Sequence, residues 1–336
     1  MTLLQHNRQL PNTLALSCTA DRLCVSDREE AREAVHLARD LGRRLLPLGE
    51  GSNVVLPGAL QGIALYVTDK SVHEVGQDNE FVTLRVGAGH AWHEFVCDTV
   101  AEGYVGLENL ALIPGTVGAA PIQNIGAYGR EVAAFIDAVH GVDLQSGDLR
   151  TLNAAQCEFS YRHSVFKAAL RDRFLICAVD FRLSKHTALD TSYPALAEQL
   201  NGQAMLSAQQ VLDAVIALRR QRLPDPALEP NVGSFFKNPV VATTWLCNVD
   251  DGGAMPQFPQ PDGRIKLSAA WLIDHCGLKG LQQGGACISG RHALVITNRG
   301  GATQQDVLAL AERVVHTVQQ RFGLVLEMEP RVYGDG

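Results

Sequence analysis

The chain has no Cys-x-x-Cys pair among its eight cysteines, at 18, 24, 97, 157, 177, 247, 276 and 287. Most of them sit in apolar settings such as 174–179, so they read as reduced, buried small hydrophobes. There is also no basic run, and the net charge is −7. Nucleic acid binding needs clustered Lys and Arg to displace counterions and is not expected. Local amides and single arginines can still hold an anionic ligand. No apolar stretch approaches bilayer length, and the polar opening from Met1 to Asn12 does not resemble a signal peptide. A cytosolic protein without a membrane partner is therefore expected. Internal repeats and low-complexity segments are lacking. His90 and His93 have no third ligand type clustered nearby, so no metal site is expected and both read as helix-surface residues.

What is present points to an α+β protein. At 336 residues the chain exceeds what one hydrophobic core usually serves, and two or three domains are expected. Its first third alternates strand and helix signals. Ser26-Asp27-Arg28-Glu29 is a capping box opening a helix to about Gly42. Arg44–Leu48 reads as a short strand, Val54–Leu56 as extended, Phe81–Val86 as a strand and Ala91–Ala101 as a helix ending at Gly103. Val139–Ser146 and Leu175–Leu183 read as strands. Ser207-Ala208-Gln209-Gln210 is a second capping box, for a helix to about Arg222. Pro224-Asp225-Pro226 ends that helix and marks the main domain boundary. Beyond it lie a helix over Ala269–Cys276 between Ser268 and Gly277 and a strand over Ala293–Thr297. A helix over Gln304–Phe322 between Thr303 and Gly323 and a final strand over Leu324–Glu329 complete the chain.

Two glycine-rich stretches carry the chemistry. In Gly49-Glu50-Gly51-Ser52-Asn53 the glycines let backbone amides approach a pyrophosphate, and Ser and Asn add donors; a plain hairpin turn is the competing reading. No helix with Gly-x-x-Gly follows, so this is not a dinucleotide fingerprint of the Rossmann kind. The segment 106–129 is apolar, small and nearly uncharged. Loops are usually polar, so this one is expected to be buried. Its part from Gly115 to Gly129 can lie flat along a planar cofactor, with Gln123 and Asn124 as its polar side chains; the alternative is a tightly packed structural loop.

Together these two loops resemble the flavin-binding domain of the vanillyl-alcohol-oxidase (PCMH) type. There, glycine-rich loops hold FAD between two small α/β subdomains. Gly106–Gly115 ahead of the Gln123-Asn124 loop narrows the resemblance to the family of UDP-N-acetylenolpyruvoylglucosamine reductases. Tyr161-Arg162-His163-Ser164-Val165-Phe166-Lys167 and Gly233-Ser234-Phe235-Phe236-Lys237-Asn238-Pro239 resemble two further family blocks. Ala270–Asp274 and Leu326–Arg331 also match, in order, over roughly residues 12 to 334.

The resemblance implies FAD-binding subdomains over 1–75, joined by the C-terminal strand 324–336, and over 76–222. It implies a C-terminal α+β substrate-binding domain over 223–323. The implied enzyme is a UDP-N-acetylmuramate dehydrogenase of peptidoglycan precursor synthesis, a monomer with non-covalent FAD and NADPH as co-substrate. Flavin N5 would deliver hydride to the enolpyruvyl group of UDP-N-acetylglucosamine-enolpyruvate. Ser234 matches the family's proton donor, and Arg162 and Glu329 would stabilise the enolate-like intermediate. A carboxyl beside an anionic substrate is pushed toward its neutral, donating form. Glu327 shares a strand face with Glu329, and the choice of Glu329 rests on its place in the family's block.

For FAD the resemblance implies Gly49 to Asn53, Ile113, Pro114, Gly115, Gly118, Ala119, Ala120, Ile122, Gln123, Asn124, Gly126, Ile176, Arg219 and Arg331. For the substrate it implies Tyr193, Arg222, Lys237, Asn238 and His292. Tyr193 matches a tyrosine that closes over the UDP diphosphate, and an insert over about 186–203 indicates the longer subtype. Arg222 departs from the family's usual Lys, and Ser160 stands where Gly is frequent. His292 reads equally as a sugar contact or a capped core histidine. Cys157 reads as structural.

Two alternatives differ in class. A sugar or alcohol oxidase on the same scaffold often binds FAD covalently through His or Cys in the first loop, and Gly49–Leu56 holds neither. A non-catalytic nucleotide-sugar binder would be expected to have lost Arg162, Ser234 or Glu329, and all three are present.

Overall fold

The computed structural model describes residues 3–186, 189–201, 206–248 and 255–334. The chain divides into two compact units. Met1–Gln9, Thr19–Gly51 and Leu60–Gln221 form the first; Leu10–Cys18, Ser52–Ala59 and Arg222–Gly336 form the second.

The first unit opens with β1 (Gln5–Gln9), β2 (Thr19–Val25), α1 (Arg28–Asp40) and β3 (Leu45–Pro47). The chain then passes through β4 (Val54–Val55), which belongs with the second unit, and returns as β5 (Ala59–Val67). These strands form a sheet in the order β1-β2-β5-β3, with β3 and β5 parallel. Ala31, Ala34, Val35 and Ala38 recur on one face of α1 and pack on Leu23, Ile63, Leu65, Leu175 and Cys177. The helix starts one residue later than the Ser26 capping box implies. Asp27 is the N-cap, accepting from the Glu30 amide, and it is Glu30, not Glu29, that reaches back to the Ser26 amide and hydroxyl. The Asp27 carboxylate is the stronger acceptor and takes the cap.

A second sheet of this unit is built from β6 (Val72–Gln77), β7 (Phe81–Gly87), β10 (Ile136–Asp143), β11 (Leu149–Asn153) and β12 (Phe174–Ser184). Its order is β11-β10-β12-β7-β6, antiparallel throughout. Between β7 and β10 lie α2 (Trp92–Ala101) and the two-residue strands β8 (Gly126–Ala127) and β9 (Arg130–Glu131). α3 (Pro194–Gln199) and α4 (Ala208–Arg222) follow β12. The core centres on Trp92, Phe95 and Phe181, with ring centroids 5.0 to 6.1 Å apart. β10 stops at Asp143, short of the Ser146 expected from the sequence. The Asp143 carboxylate accepts from the Gln145 and Ser146 amides and turns the chain.

Under this sheet Arg85 grips Asp180 with two 2.8 Å hydrogen bonds, and His140 Nε2 lies 2.8 Å from the same carboxylate. Burial pushes the Asp180 carboxyl up, but the bonds from Arg85 and His140 outweigh it and hold it at about 2.

The second unit carries β13 (Asn231–Ser234), β14 (Val240–Val241), β15 (Gln257–Pro259), β16 (Ile265–Leu267) and α5 (Ala269–His275). β17 (Gln282–Gln283), β18 (Ala286–Ile288), β19 (Val295–Asn298), α6 (Gln304–Phe322) and β20 (Arg331–Val332) complete it. Its main sheet runs β13-β19-β18-β17, a small sheet runs β14-β16-β15, and β20 pairs in parallel with β4. α6 has the boundaries expected from its caps: Thr303 and Asp306 form a capping box, and Gly323 ends it at φ 68°. Val307, Leu310, Ala311, Val314 and Val318 bury its inner face beside Leu14, Leu16 and Val55 from the two short segments that join this unit. The final strand expected over Leu324–Glu329 is absent. A single bridge, Phe236 to Met328, forms there. The Phe235 amide is already given to Leu294, and Pro330 has no amide to extend a ladder.

The seven cysteines whose side chains are described, all but Cys247, are free, and no helix among the described residues is long and apolar enough to cross a membrane. Burial pushes the Cys157 thiol up to about 12, in keeping with a structural role.

Because the Asp180 carboxyl titrates below its usual 3.8, its contribution to stability is fully present above that value and lost as pH falls through about 2. Asp180→Asn is expected to lower the unfolding free energy at pH 7 by about 2–4 kcal/mol and to flatten its decline below pH 4. Urea titrations at several pH values measure both.

Candidate active site

The segment 106–129 is largely buried, yet it forms only short 3-10 turns over Glu108–Leu110 and Val117–Ala119. Buried irregular backbone must find hydrogen bonds outside regular structure. Here side chains supply them. Glu108 accepts from the Gly106 amide at 2.6 Å, and Trp92 Nε1 donates to the Leu110 carbonyl at 2.9 Å. Both polar groups of Leu112 are used: His93 Nδ1 accepts from its amide at 3.1 Å and Arg219 Nε donates to its carbonyl at 3.2 Å. Ser164 Oγ donates to Ile122, Arg162 Nη2 to Gly126 at 2.9 Å and Asn109 Nδ2 to Tyr128 at 2.8 Å.

Strain collects in the same place. Leu112, Asn124, Tyr128 and Arg162 are non-glycine residues held at φ 57°, 47°, 47° and 53°. Such conformations persist only where the surroundings over-determine them. Arg162 sits in a tight turn closed by reciprocal Ser160–His163 backbone bonds.

The loop's glycines answer to close approach. A Cβ on Gly118 would lie 2.6 Å from that of Ala88, and one on Gly49 would lie 3.0 Å from Thr116 Oγ1. Gly51, at φ 72°, needs its freedom for the turn. The first loop is shared between the units, Gly49 to Gly51 going with the first and Ser52 and Asn53 with the second. Ile113, Ala119, Gln123 and Gly126 are half-buried, and Pro114 and Ile122 are exposed; Gly115, Ala120 and Asn124 are buried in the loop, and Ile176 is buried on β12.

Arg219 is the electrostatic anomaly. Burial pulls its guanidinium below the ordinary arginine value, Tyr128 opposes that, and nearby Arg162 adds repulsion. A desolvated cation bonded to one carbonyl favours an anionic or strongly polar neighbour. A close-packed small-residue loop, exposed Pro114 and Ile122 and a half-buried cation suit the ring and phosphates of FAD.

Asn124, one of the expected FAD residues, has its side-chain amide bonded within the protein, to Glu131 at 2.7 Å, the Ser160 carbonyl at 3.2 Å and the Ala133 amide at 3.0 Å. One expectation for this unit needs correction. His93 is not a helix-surface residue but a half-buried acceptor for the loop, its pKa lowered first by burial and then by Arg220 and Arg219. The sequence reading also missed Asn109 and Glu108. A polar pair inside an otherwise apolar loop was the available signal.

In the second unit Ser234 ends β13, half-buried. The Glu329 amide donates to Phe235 at 2.9 Å, and the Lys237 amide donates to Glu327. Ser234 and Glu329 therefore lie on neighbouring backbones. Lys237 Nζ, which the sequence suggested as a neighbour for Ser234, is paired with the exposed Glu327. Asn238 Oδ1 accepts from Ala269 at the start of α5 at 2.9 Å. Asn53 accepts through its carbonyl from the Arg331 amide at 3.0 Å, and the Arg331 guanidinium lies 3.8 Å over the Tyr333 ring. Arg222 is exposed at the end of α4. His292 has its pKa lowered by burial and by Lys279 and Arg222, while its Nδ1 accepts from the Leu294 amide at 3.3 Å. Tyr193, in the first unit, lies edge-on to Tyr128 with ring centroids 5.3 Å apart.

Residues 22–153 match the FAD binding domain family, and residues 225–333 match the family described as UDP-N-acetylenolpyruvoylglucosamine reductase, C-terminal domain. The UDP-N-acetylenolpyruvoylglucosamine reductase of Paraburkholderia phymatum is 46% identical over 325 residues, covering 95% of this chain and 94% of the relative. That of Neisseria gonorrhoeae is 42% identical over 327 residues, covering 95% and 94%. The chain belongs to the UDP-N-acetylenolpyruvoylglucosamine reductase family. The crystal structure of the Thermus caldophilus reductase superposes with a TM-score of 0.70 at 25% identity, covering 99% of this chain and 100% of that one. Membership of this reductase family makes the protein an oxidoreductase with an FAD-binding domain, in an α+β fold.

Within this reductase, Asn124→Ala removes a buried amide that satisfies three groups. It is expected to weaken FAD binding by about 1–3 kcal/mol, roughly 5- to 150-fold, while α6 and its sheet stay folded. Flavin fluorescence on dilution measures the first, and far-UV circular dichroism the second.

Proposed function

We propose that this protein reduces the enolpyruvyl double bond of UDP-N-acetylglucosamine-enolpyruvate, with NADPH as reductant and non-covalent FAD, giving UDP-N-acetylmuramate for peptidoglycan. The observation that carries the reading is the close-packed glycine loop braced by half-buried Arg219 and strained Arg162. FAD, when bound, supplies the hydride transfer that no side chain can.

The chain's own residues do the rest. Hydride addition to the terminal vinyl carbon moves charge toward the substrate carboxylate. Arg162, preorganised by its bond to the Gly126 carbonyl, meets that charge with a planar fork of donors. Glu329 assists as a donor when protonated. Ser234 gives its hydroxyl proton to the carbon next to the carboxylate, which completes the saturated lactyl ether. Glu329 takes this role from its place in the family's block, while the exposed Glu327 pairs with Lys237. Lys237, Asn238, Arg222 and Tyr193 hold the UDP diphosphate, and His292, with its neutral form favoured by burial, faces the sugar as a hydrogen-bonding group. Arg331 and the amides of Gly49 to Asn53 hold the phosphates of FAD.

The purified protein should be yellow and should bleach with NADPH. Ser234→Ala is expected to leave flavin reduction by NADPH within about twofold of normal and to lower substrate turnover by about 10²-fold or more. Stopped-flow absorbance separates the half-reactions, and equal loss of both removes Ser234 from the proton-donor role.

A further inference from the structure

Away from the residues given to FAD and to the UDP-sugar, arginines gather at one place in the first unit. A cleft of about 450 Å³ is lined by Arg39, Arg43, Arg44, Arg171 and Arg173, with Asp172 as the carboxylate among them. Two left-handed turns bring these residues together. Gly42, at φ 61°, lets the chain reverse at the end of α1. Its amide donates to the Arg39 carbonyl at 3.0 Å and the Arg43 amide to that of Ala38 at 2.8 Å, which lays Arg43 and Arg44 back beside the last turn of the helix. Asp172, at φ 59°, turns the chain between Arg171 and Arg173 just ahead of β12. The two sides are then clamped. The Leu144 amide donates to the Arg173 carbonyl at 2.8 Å, and Arg39 Nη2 donates to the Gln145 carbonyl at 2.7 Å. The cleft is thus built from both sheets of the unit, α1 and β3 on one side and the β10–β11 turn and the approach to β12 on the other.

Like charges this close repel one another, and the protein's own carboxylates offset them only in part. Asp21 takes Arg43. Arg39 is bonded to a carbonyl, which accepts a hydrogen bond but brings no charge. Arg44, Arg171 and Arg173 are exposed and make no ion pair or side-chain hydrogen bond among the described residues. In a chain of net charge −7, positive charge is therefore left over in one concavity. Planar guanidinium forks match phosphate oxygens two at a time. The acidic remainder of the chain repels an extended polyanion such as RNA, and the concavity suits a compact one. We propose that this cleft binds a small molecule carrying a chain of two or three phosphates, with half-buried Leu144 as an apolar wall for a base where the molecule has one. The site is separate from the flavin's. Arg44 precedes β3 and Gly49 follows it, so the cleft and the loop from Gly49 to Asn53 lie at opposite ends of that strand.

The test is calorimetric titration of the FAD holoenzyme with tripolyphosphate, ATP and inorganic phosphate at one ionic strength, with and without excess UDP-N-acetylmuramate. Tripolyphosphate is expected to bind with Kd of about 10–100 μM, at least about 10-fold more tightly than inorganic phosphate, and equally well beside UDP-N-acetylmuramate. An ATP affinity no greater than that of tripolyphosphate assigns the site to the phosphate chain alone; a greater one adds the base against Leu144. Arg44→Gln and Arg173→Gln should each weaken tripolyphosphate about 5- to 10-fold, while Arg313→Gln, exposed on α6, should leave it within about twofold. Hydrogen exchange of the amides over 39–45 and 171–174 should slow when tripolyphosphate is bound, which locates the site without any substitution. No heat at millimolar tripolyphosphate, an affinity unmoved by both cleft variants or lowered as much by Arg313→Gln, competition by UDP-N-acetylmuramate, or slowed exchange over 49–53 in place of those two segments would each overturn the proposal.

Discussion

The structure of the first unit depends on satisfying one stretch of buried, irregular backbone. The segment 106–129 has only two short 3-10 turns and the two-residue strand β8 to pair its amides and carbonyls, and each one left unpaired would cost about 1–3 kcal/mol. Trp92, His93, Glu108, Asn109, Asn124, Arg162, Ser164 and Arg219 therefore reach in from α2, from the loop itself, from the Ser160–His163 turn and from α4. A loop braced at so many points cannot drift. That rigidity is what a flavin needs from a wall it lies against.

Two of the groups that brace the loop's carbonyls from outside are cations. Carbonyls that face inward need donors, and guanidinium groups donate without accepting. Arg162 and Arg219 thus hold the loop and at the same time leave positive charge beside it, with burial and mutual repulsion keeping Arg219 in want of an anion. In the reading proposed above, structural and chemical roles fall on the same side chains, so their loss should be felt in both. Ser234 and Glu329 are brought onto neighbouring backbones by a single bridge, and Lys237 occupies Glu327.

Local signals were readable where local physics decided the outcome. The α6 boundaries follow from Thr303, Asp306 and Gly323, and the α5 boundaries from Ser268 and Gly277, because caps are interactions between near neighbours. The burial of 106–129 was legible from its lack of charge. The misreadings came where a competing partner lay nearby or far off. Asp27 outcompetes Ser26 at the cap of α1, Asp143 ends β10 early, and the Leu294 carbonyl claims the Phe235 amide that a terminal strand would have used. His93 reads as a helix-surface residue because its true partner, the Leu112 amide, depends on how the loop folds back.

By itself the sequence determined the kinds of group available: a glycine floor, arginine, serine and glutamate in ordered blocks, thiols suited to burial, and helices with their own caps. These depend on composition and on contacts a few residues apart. Only the tertiary structure decided which groups serve the protein and which remain for a ligand. Each donor and acceptor has a limited capacity, and its use by Asn109, Asn124, Lys237 and Glu327 is decided across separations of 7 to 90 residues.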